Sequence, residues 1–252
     1  GATSLAGSGQ TAVDTPVRPT SIGSSGGRQA AAITAAVFAH NPDQDLSVSA
    51  RTANTLIREA MIRERLDMHQ RERLWSTSFA AVQIDDGSIN WCQIGDCAIV
   101  AIYIDGSSRL LTDVPNQDKD ILRRWQRIGP RASATIHQEL AADIKAVRKS
   151  MNRSFGSLNG EPEALDFLSS GCLEDDPRIG DILLFSDGLF PPASDPEIPL
   201  DTGQLVELYR CGGIDNVRNR IRQLQRTDPR CCSYPRFKKF DDISAIALRR
   251  NG

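Results

Sequence analysis

Two groups of acidic residues flank apolar segments in the second half of the sequence, and their chemistry suits a divalent cation. Ile182–Phe185 is fully apolar, which predicts a buried strand that ends close to Asp187. Gly188 follows and lets the backbone approach a ligand closely. Asp241-Asp242 precedes a second predicted strand, Ile243–Leu248. Carboxylate oxygens are hard ligands, and Mg2+ usually takes a few of them together with water. Both groups are therefore candidate metal-binding segments.

Other glycine-containing segments have ordinary structural interpretations. Asp85-Asp86-Gly87 and Asp105-Gly106 carry the Asp-Gly signal of tight hairpin turns. Gly23–Gly27 precedes a predicted helix and could cradle a phosphate group, but it lacks the Gly-Lys-Ser/Thr ending of a nucleotide-binding loop. We therefore interpret it as a flexible turn.

The composition limits the classes of protein that the chain can represent. The chain has 252 residues, of which 40% are hydrophobic, so it can bury a large core. A formal net charge of -2 and a pI near 6.0 argue against a general nucleic-acid binder, which needs a basic face. The six cysteines form no Cys-x-x-Cys pair and the three histidines are isolated, which argues against a zinc site.

The sequence also predicts where the protein works. Sparse, irregular cysteines suit a reducing compartment. The N-terminal residues have neither the basic start nor the apolar segment of a signal peptide, and the apolar stretch at 30–39 is too short to cross a bilayer. We expect a cytoplasmic protein with no membrane partner.

Hydrophobic periodicity predicts an α+β chain with mostly antiparallel strands. Helical spacing predicts helices over Gln29–His40 and Leu46–Arg71, packed side by side on one outer face. Further helices are predicted over Gln138–Met151, Leu205–Tyr209 and Val217–Leu224. The predicted strands are Ser78–Ile84, Ile89–Ile94, Ala98–Ile104, Arg109–Thr112, Ile182–Phe185 and Ile243–Leu248. We expect one domain over residues 1–252, with 1–27 as a divergent or shortened N-terminal segment.

An ordered set of short motifs resembles the metal-dependent protein phosphatases of the protein phosphatase 2C type, in particular the bacterial ones. The segment at 180–190, GDILLFSDGLF, is similar to the family's G-D-x-L-L-L-x-S-D-G-L-W, and 240–244, FDDIS, is similar to its D-N-x-T motif. The segments STSFAAV at 76–82, QIGDCA at 93–98, LTD at 111–113 and NRSFG at 152–156 resemble further family motifs in the same order. Together they cover the chain from about residue 29 to 249.

The resemblance implies a fold, a reaction and a set of ligands. The fold is a four-layer sandwich of two stacked antiparallel sheets flanked by helix layers. The reaction is hydrolysis of phosphoserine and phosphothreonine on proteins, with Mg2+ or Mn2+ as cofactor, two ions in an intact site and one or none in a degenerate one. Asp187 and Asp241 match family metal ligands. Asp96 and Asp113 also fall in family motifs, but we interpret both as parts of structural turns.

The N-terminal part of the family's site is poorly matched. Gly23 stands where the family has a bridging aspartate, and Arg28 where it has a histidine. Asp14 is the only carboxylate before Asp43. In one alignment Asp14 replaces an aspartate of the family's N-E-D sequence and the bridging ligand is lost. In the other, which we prefer, the segment at 13–16 replaces the family's strand-end Asp-Gly, and Asp14 is the third metal ligand.

Two functions follow from this pattern. The first is a metal-dependent serine/threonine phosphatase whose ligands are Asp14, Asp187 and Asp241, and whose partner is a phosphoprotein that an opposing serine/threonine kinase modifies. The second is a catalytically weak or inactive pseudophosphatase that acts as a regulatory or binding module. The missing aspartate, histidine and phosphate-gripping arginine motivate the second.

Overall fold

The computed structural model describes residues 25–85, 87–174 and 176–250. The strands of this part of the chain are β1 (Phe79–Asp85), β2 (Ser88–Ile94), β3 (Ala98–Tyr103), β4 (Ser108–Leu110), β5 (Ser169–Glu174), β6 (Ile179–Phe185) and β7 (Ala245–Arg249). The helices are α1 (Gly26–His40), α2 (Leu46–Arg63), α3 (Lys119–Ile128), α4 (Ile136–Glu139), α5 (Ala141–Lys149) and α6 (Thr202–Thr227). No helix among these residues is long and apolar enough to cross a membrane.

The strands form two antiparallel sheets, as the sequence predicted. One sheet has the order β1-β2-β5 and the other β4-β3-β6-β7. β1 and β2 are antiparallel neighbours, and Asp85 at the end of β1 pairs with Ser88 at the start of β2. The turn at Asp105-Gly106 joins β3 to β4 and is closed by a hydrogen bond from the Gly106 backbone N–H to the Tyr103 carbonyl. The Asp105-Gly106 segment is therefore a hairpin turn, as expected, whereas Asp86 of the other Asp-Gly segment lies outside the described residues.

Alternating side chains along the strands separate three cores and so define four layers. Phe79 and Ala81 of β1 pack with α1 and α2 on one outer face. Ala80 and Val82, the alternate residues, pack between the sheets with residues of β3 and β6. On the other outer face, β3 and β6 pack against α6 through Leu205, Ile221 and their neighbours. The predicted helix–sheet–sheet–helix sandwich is confirmed.

The predicted C-terminal end of the second helix is too late in the chain. α2 ends at Arg63 and not at Arg71, because the backbone N–H groups of Arg65 and Leu66 donate to the carbonyls of Ile62 and Met61. This is the Schellman arrangement, which usually has glycine in the left-handed position. Here Arg65 holds that position with φ 58°, so the sequence carries no glycine to mark the helix end.

Other element bounds also differ from the sequence prediction. The helix predicted over Gln138–Met151 is divided at Leu140 into α4 and α5. α6 joins the two helices predicted over 205–224, with a break at Gly212-Gly213 where the backbone leaves helical geometry. β7 begins at Ala245, two residues late, and β6 begins three residues early at Ile179. The sequence analysis missed β5, whose residues SSGCLE are largely polar and acquire their strand geometry by pairing with β2.

Candidate metal and phosphate site

The strand register brings three acidic segments to one end of the larger sheet. Ala98 at the start of β3 pairs with Phe185 at the end of β6, and Phe185 pairs with Ala245 at the start of β7. The loops at 95–97, 186–188 and 241–244 therefore meet at the same edge. The Asp105 turn lies beyond the opposite ends of these strands, since Tyr103 pairs with Ile179.

Backbone contacts fix the two predicted metal-binding segments against each other. Ser186 donates its backbone N–H to the carbonyl of Ser244 at 2.9 Å, and the backbone N–H of Ser244 donates to the Ser186 hydroxyl at 3.1 Å. A Cβ at Gly188 would overlap the backbone oxygen of Asp242, so only glycine allows this close approach. The short helical turn Asp187–Leu189 then holds Asp187 at the sheet edge.

A glycine turn brings a third carboxylate to the same edge. Gly95 has φ 82°, a conformation that favours glycine, and a Cβ there would overlap the Ser78 side chain at the start of β1. The amide of Gln93 donates to the Gly95 carbonyl. Asp96 follows and lines the cavity between the sheet ends. The predicted turn is present, and its aspartate also belongs to the site.

These segments enclose a cavity of about 320 Å³. We call it the acidic pocket, because its charged lining residues are Asp96, Asp187, Asp241, Asp242 and Lys238. The remaining lining residues are small, polar or moderately apolar: Gly27, Ser76, Thr77, Ser78, Gly95, Cys97, Gln117, Met151, Phe155, Gly156, Ser157, Ser186 and Ser244. Four aspartates and one lysine thus line this space.

The electrostatics of the acidic pocket favour an added cation. The pKa of Asp187 is raised to about 7, first by desolvation of its carboxyl group at the pocket wall and then by the charges of Asp96 and Asp241, although the residue as a whole is exposed. Burial and the charge of Asp96 likewise raise the pKa of Asp118, the residue that precedes α3, to about 6. Neighbouring carboxylates that disfavour each other's ionised form are stabilised when a positive charge lies among them.

Among the described residues that line the acidic pocket, Lys238 carries the one positive charge. Its Nζ lies 2.7 Å from Asp241 Oδ1, and the hydrogen bond to Asp241 raises the pKa of Lys238. The lysine side chain is 56% exposed. The sequence analysis did not single out Lys238, although its place three residues before Asp241 was visible.

The predicted ligands differ in where they lie. Asp187 and Asp241 line the same cavity. Asp14 lies outside the described residues. Asp113 is exposed and is not among the residues that line the acidic pocket.

The residues present fit one hard cation more readily than two. No group of three His, Cys, Asp or Glu side chains within residues 25–85, 87–174 and 176–250 is close enough to hold a metal ion. Mg2+, however, is often bound by one or two carboxylates and several waters. Gln117 lines the pocket, and its buried Oε1 has no hydrogen-bond partner among the described residues, so it can accept one from an ordered water. A second ion would need a ligand from the remainder of the chain.

The fold is shared with solved structures of serine/threonine phosphatases. The Mycobacterium tuberculosis serine/threonine phosphatase PstP/Ppp matches 90% of this chain and 83% of its own at 18% identity, with a TM-score of 0.53. The PstP catalytic domain in complex with two manganese ions matches 87% of this chain and 80% of its own at 17% identity, with a TM-score of 0.51. PppA of Pseudomonas aeruginosa, described as a regulatory component of the type VI secretion system, matches 88% and 78% at 14% identity, with a TM-score of 0.52.

The chain therefore has the fold of the protein phosphatase 2C-type serine/threonine phosphatases, as the sequence motifs implied. No protein-family model matches the sequence, and no curated protein is significantly similar to it. At these identities the structural likeness establishes the fold, and the chemistry has to be argued from the residues of this chain.

Proposed function

We propose that this protein is a metal-dependent phosphatase that hydrolyses phosphoserine and phosphothreonine on protein substrates. The observation that carries the proposal is the convergence of Asp96, Asp187 and Asp241, from three separate loops, on one cavity at a sheet edge. Like charges gathered in one cavity are characteristic of functional sites. A hard divalent cation is the ligand that such oxygens prefer.

The metal would be Mg2+ or Mn2+, held by Asp187 and Asp241, with Asp14 as the third ligand. When bound, a divalent cation lowers the pKa of a coordinated water and neutralises charge on phosphoryl oxygens. Asp187 is fixed for this role by the Ser186–Ser244 hydrogen bonds. Asp96 adds negative charge beside Asp187, and Gln117 Oε1 can orient a water in the same cavity.

The substrate is expected to be the phosphorylated side chain of a protein that a serine/threonine kinase modifies. The solved structures with this fold are described as serine/threonine phosphatases. Ser76, Thr77 and Ser157 line the pocket with small side chains, which leaves space for a phosphoryl group without a large hydrophobic recognition surface. A protein substrate would bring its own surface to the rim.

Hydrolysis of an aryl phosphate with Mn2+ tests the proposal. We expect weak but measurable turnover, since no arginine lines the described part of the pocket. Asp187→Asn and Asp14→Asn should each reduce it to background, because each removes a metal ligand. Asp105→Asn, at the opposite end of the sheet, should turn over substrate like the native chain.

The outcomes separate the parts of the proposal. Full activity in Asp14→Asn would mean that the third carboxylate comes from another residue. A phosphoserine peptide that is hydrolysed more slowly than a phosphotyrosine peptide would contradict the substrate class.

The second candidate function is a pseudophosphatase that uses the fold as a binding or regulatory module. The observation that favours it is the Lys238–Asp241 ion pair, which already neutralises one of the predicted metal ligands. This candidate predicts a folded protein that shows neither Mn2+ binding nor hydrolysis with any divalent metal. Detectable Mn2+ binding that Asp187→Asn removes would exclude it.

A further inference from the structure

We infer that Lys238 binds the phosphoryl oxygens of the substrate in the acidic pocket; this inference rests on the proposed phosphatase function. Among the described residues that line the pocket, Lys238 is the only one with a positive charge. A phosphate dianion would meet Asp96, Asp187, Asp241 and Asp242 on the same surface. It needs a cationic side chain beside any metal ion, and Lys238 is placed to supply it.

The backbone on both sides of Lys238 is firmly held. Arg236 donates to Asp228 Oδ2 at 2.9 Å and to the carbonyls of Tyr234, Gln225 and Asp228. On the other side, Arg222 donates to the Asp241 carbonyl at 2.6 Å. Lys238 therefore projects from a fixed base, and its position at the pocket is a property of the fold.

The side chain of Lys238, by contrast, is held by a weak ion pair. It is 56% exposed, and its partner Asp241 is 34% exposed. Exposed ion pairs contribute little to stability, because water screens them and two flexible side chains must be ordered. Nζ has three donors, of which Asp241 Oδ1 accepts one at 2.7 Å. When a cation takes over the charge of Asp241, the ammonium group is free to turn toward an anionic oxygen a short distance away.

Lysine also suits the chemistry of the ligand. It acts as a point charge for phosphate, whereas arginine binds in a planar, bidentate way. Neighbouring Lys239 is different, because its ammonium lies 5.3 Å from the Phe240 ring centroid and it is not among the pocket-lining residues. The two adjacent lysines therefore form a matched pair, one aimed at the pocket and one at the aromatic ring.

Binding of inorganic phosphate to the full chain in the presence of Mn2+ tests the inference by calorimetry. Lys238→Met should weaken phosphate binding by about tenfold or more, the loss expected for one hydrogen bond to a charged group. Lys238→Arg should restore most of the affinity, and Lys239→Met should bind phosphate like the native chain. The Mn2+ affinity, measured separately by electron paramagnetic resonance, should not fall in Lys238→Met.

Each other result overturns the inference. Phosphate affinity within twofold of native in Lys238→Met would show that the lysine does not contact the anion. Parallel loss of Mn2+ and phosphate binding would show that it organises the site instead. A native chain that binds no phosphate with Mn2+ present also rules it out. The proposed phosphatase function is tested separately. If phosphate binding depends on Lys238 but no hydrolysis occurs, this inference holds and the proposed catalytic activity is wrong.

Discussion

The acidic pocket and a second cluster of polar residues place opposite kinds of neighbours around a carboxylate. In the second cluster, which we call the Glu161 network, Glu161 is 13% exposed and its carboxylate accepts hydrogen bonds from Arg71, Asn152 and Asn159. Burial alone would raise the pKa of Glu161, but these donors outweigh it and lower the pKa. In the acidic pocket, Asp187 is surrounded by other carboxylates and its pKa is raised.

The difference indicates which group is structural and which is functional. A carboxylate that accepts hydrogen bonds from several protein donors stabilises the fold. Its removal leaves those donors unpaired. A carboxylate beside like charges, such as the exposed Asp187, gives no such stabilisation unless a cation is bound. Glu161 thus ties the segment after α2 to the loop after α5 through Arg71 and its neighbours, while Asp187 is the proposed metal ligand. Mutations at the two positions should have opposite effects on stability.

The largest expected effect is the loss of stability in Glu161→Ala. The substitution leaves the Arg71 guanidinium and the amides of Asn152 and Asn159 without their shared acceptor. We expect the free energy of unfolding to fall by about 2–4 kcal/mol, measured by urea denaturation. Glu163→Ala, an exposed neighbour, is the control and should be near native. A loss below 0.5 kcal/mol, roughly the size of an ordinary surface substitution, would mean that the network is not structural.

Asp187→Asn should change stability in the other direction when no divalent cation is present. The substitution removes one of several repelling charges and preserves the shape of the side chain. We expect a gain of less than about 1 kcal/mol in chelator-treated protein, because the side chain is exposed and water screens its charge, together with loss of the stabilisation that Mn2+ gives the native chain. The same urea experiment with and without Mn2+ measures both. Destabilisation as large as that of Glu161→Ala would erase the distinction between the two regions.

The pH dependence of stability gives a smaller but specific signal from the Glu161 network. The pKa of Glu161 is lowered in the folded protein from its usual 4.5, so the unfolded chain binds more protons. Its contribution to stability is present above pH 4.5 and is lost as the pH falls through the folded pKa. The difference in unfolding free energy between native and Glu161→Gln should therefore shrink on acidification. A difference that grows below pH 4.5 would contradict the assignment.

Asp105→Asn should have the smallest effect on catalysis. Asp105 is exposed in the turn after β3, where its carboxylate accepts hydrogen bonds from the backbone N–H and hydroxyl of Ser107. Because this turn is at the far end of the sheet, Mn2+ binding and hydrolysis should equal those of the native chain. Reduced Mn2+ affinity in this variant would mean that the ligands extend beyond the acidic pocket.

The sequence predicted more of the fold than of the site. The mostly apolar runs of β1 and β3 and the apolar segment before Asp187 predict the sheets, because strands covered on both faces carry apolar residues at successive positions. The end of α2 could not be predicted, since Arg65 takes a position where glycine is usual. Asp187 and Asp241 were candidates by motif. The site also contains Asp96, Gln117 and Lys238, because the folded chain brings distant loops together. No single segment of the sequence indicates which loops will meet.

A crystal structure of the full chain grown with Mn2+ tests the central claim most directly. The account predicts an anomalous scattering peak in the acidic pocket, with carboxylate oxygens of Asp187 and Asp241 about 2.0–2.6 Å from the ion. It also predicts that Lys238 has moved away from Asp241. A well-ordered acidic pocket without a peak, with Lys238 still paired to Asp241, would contradict the account and favour a regulatory role for the fold.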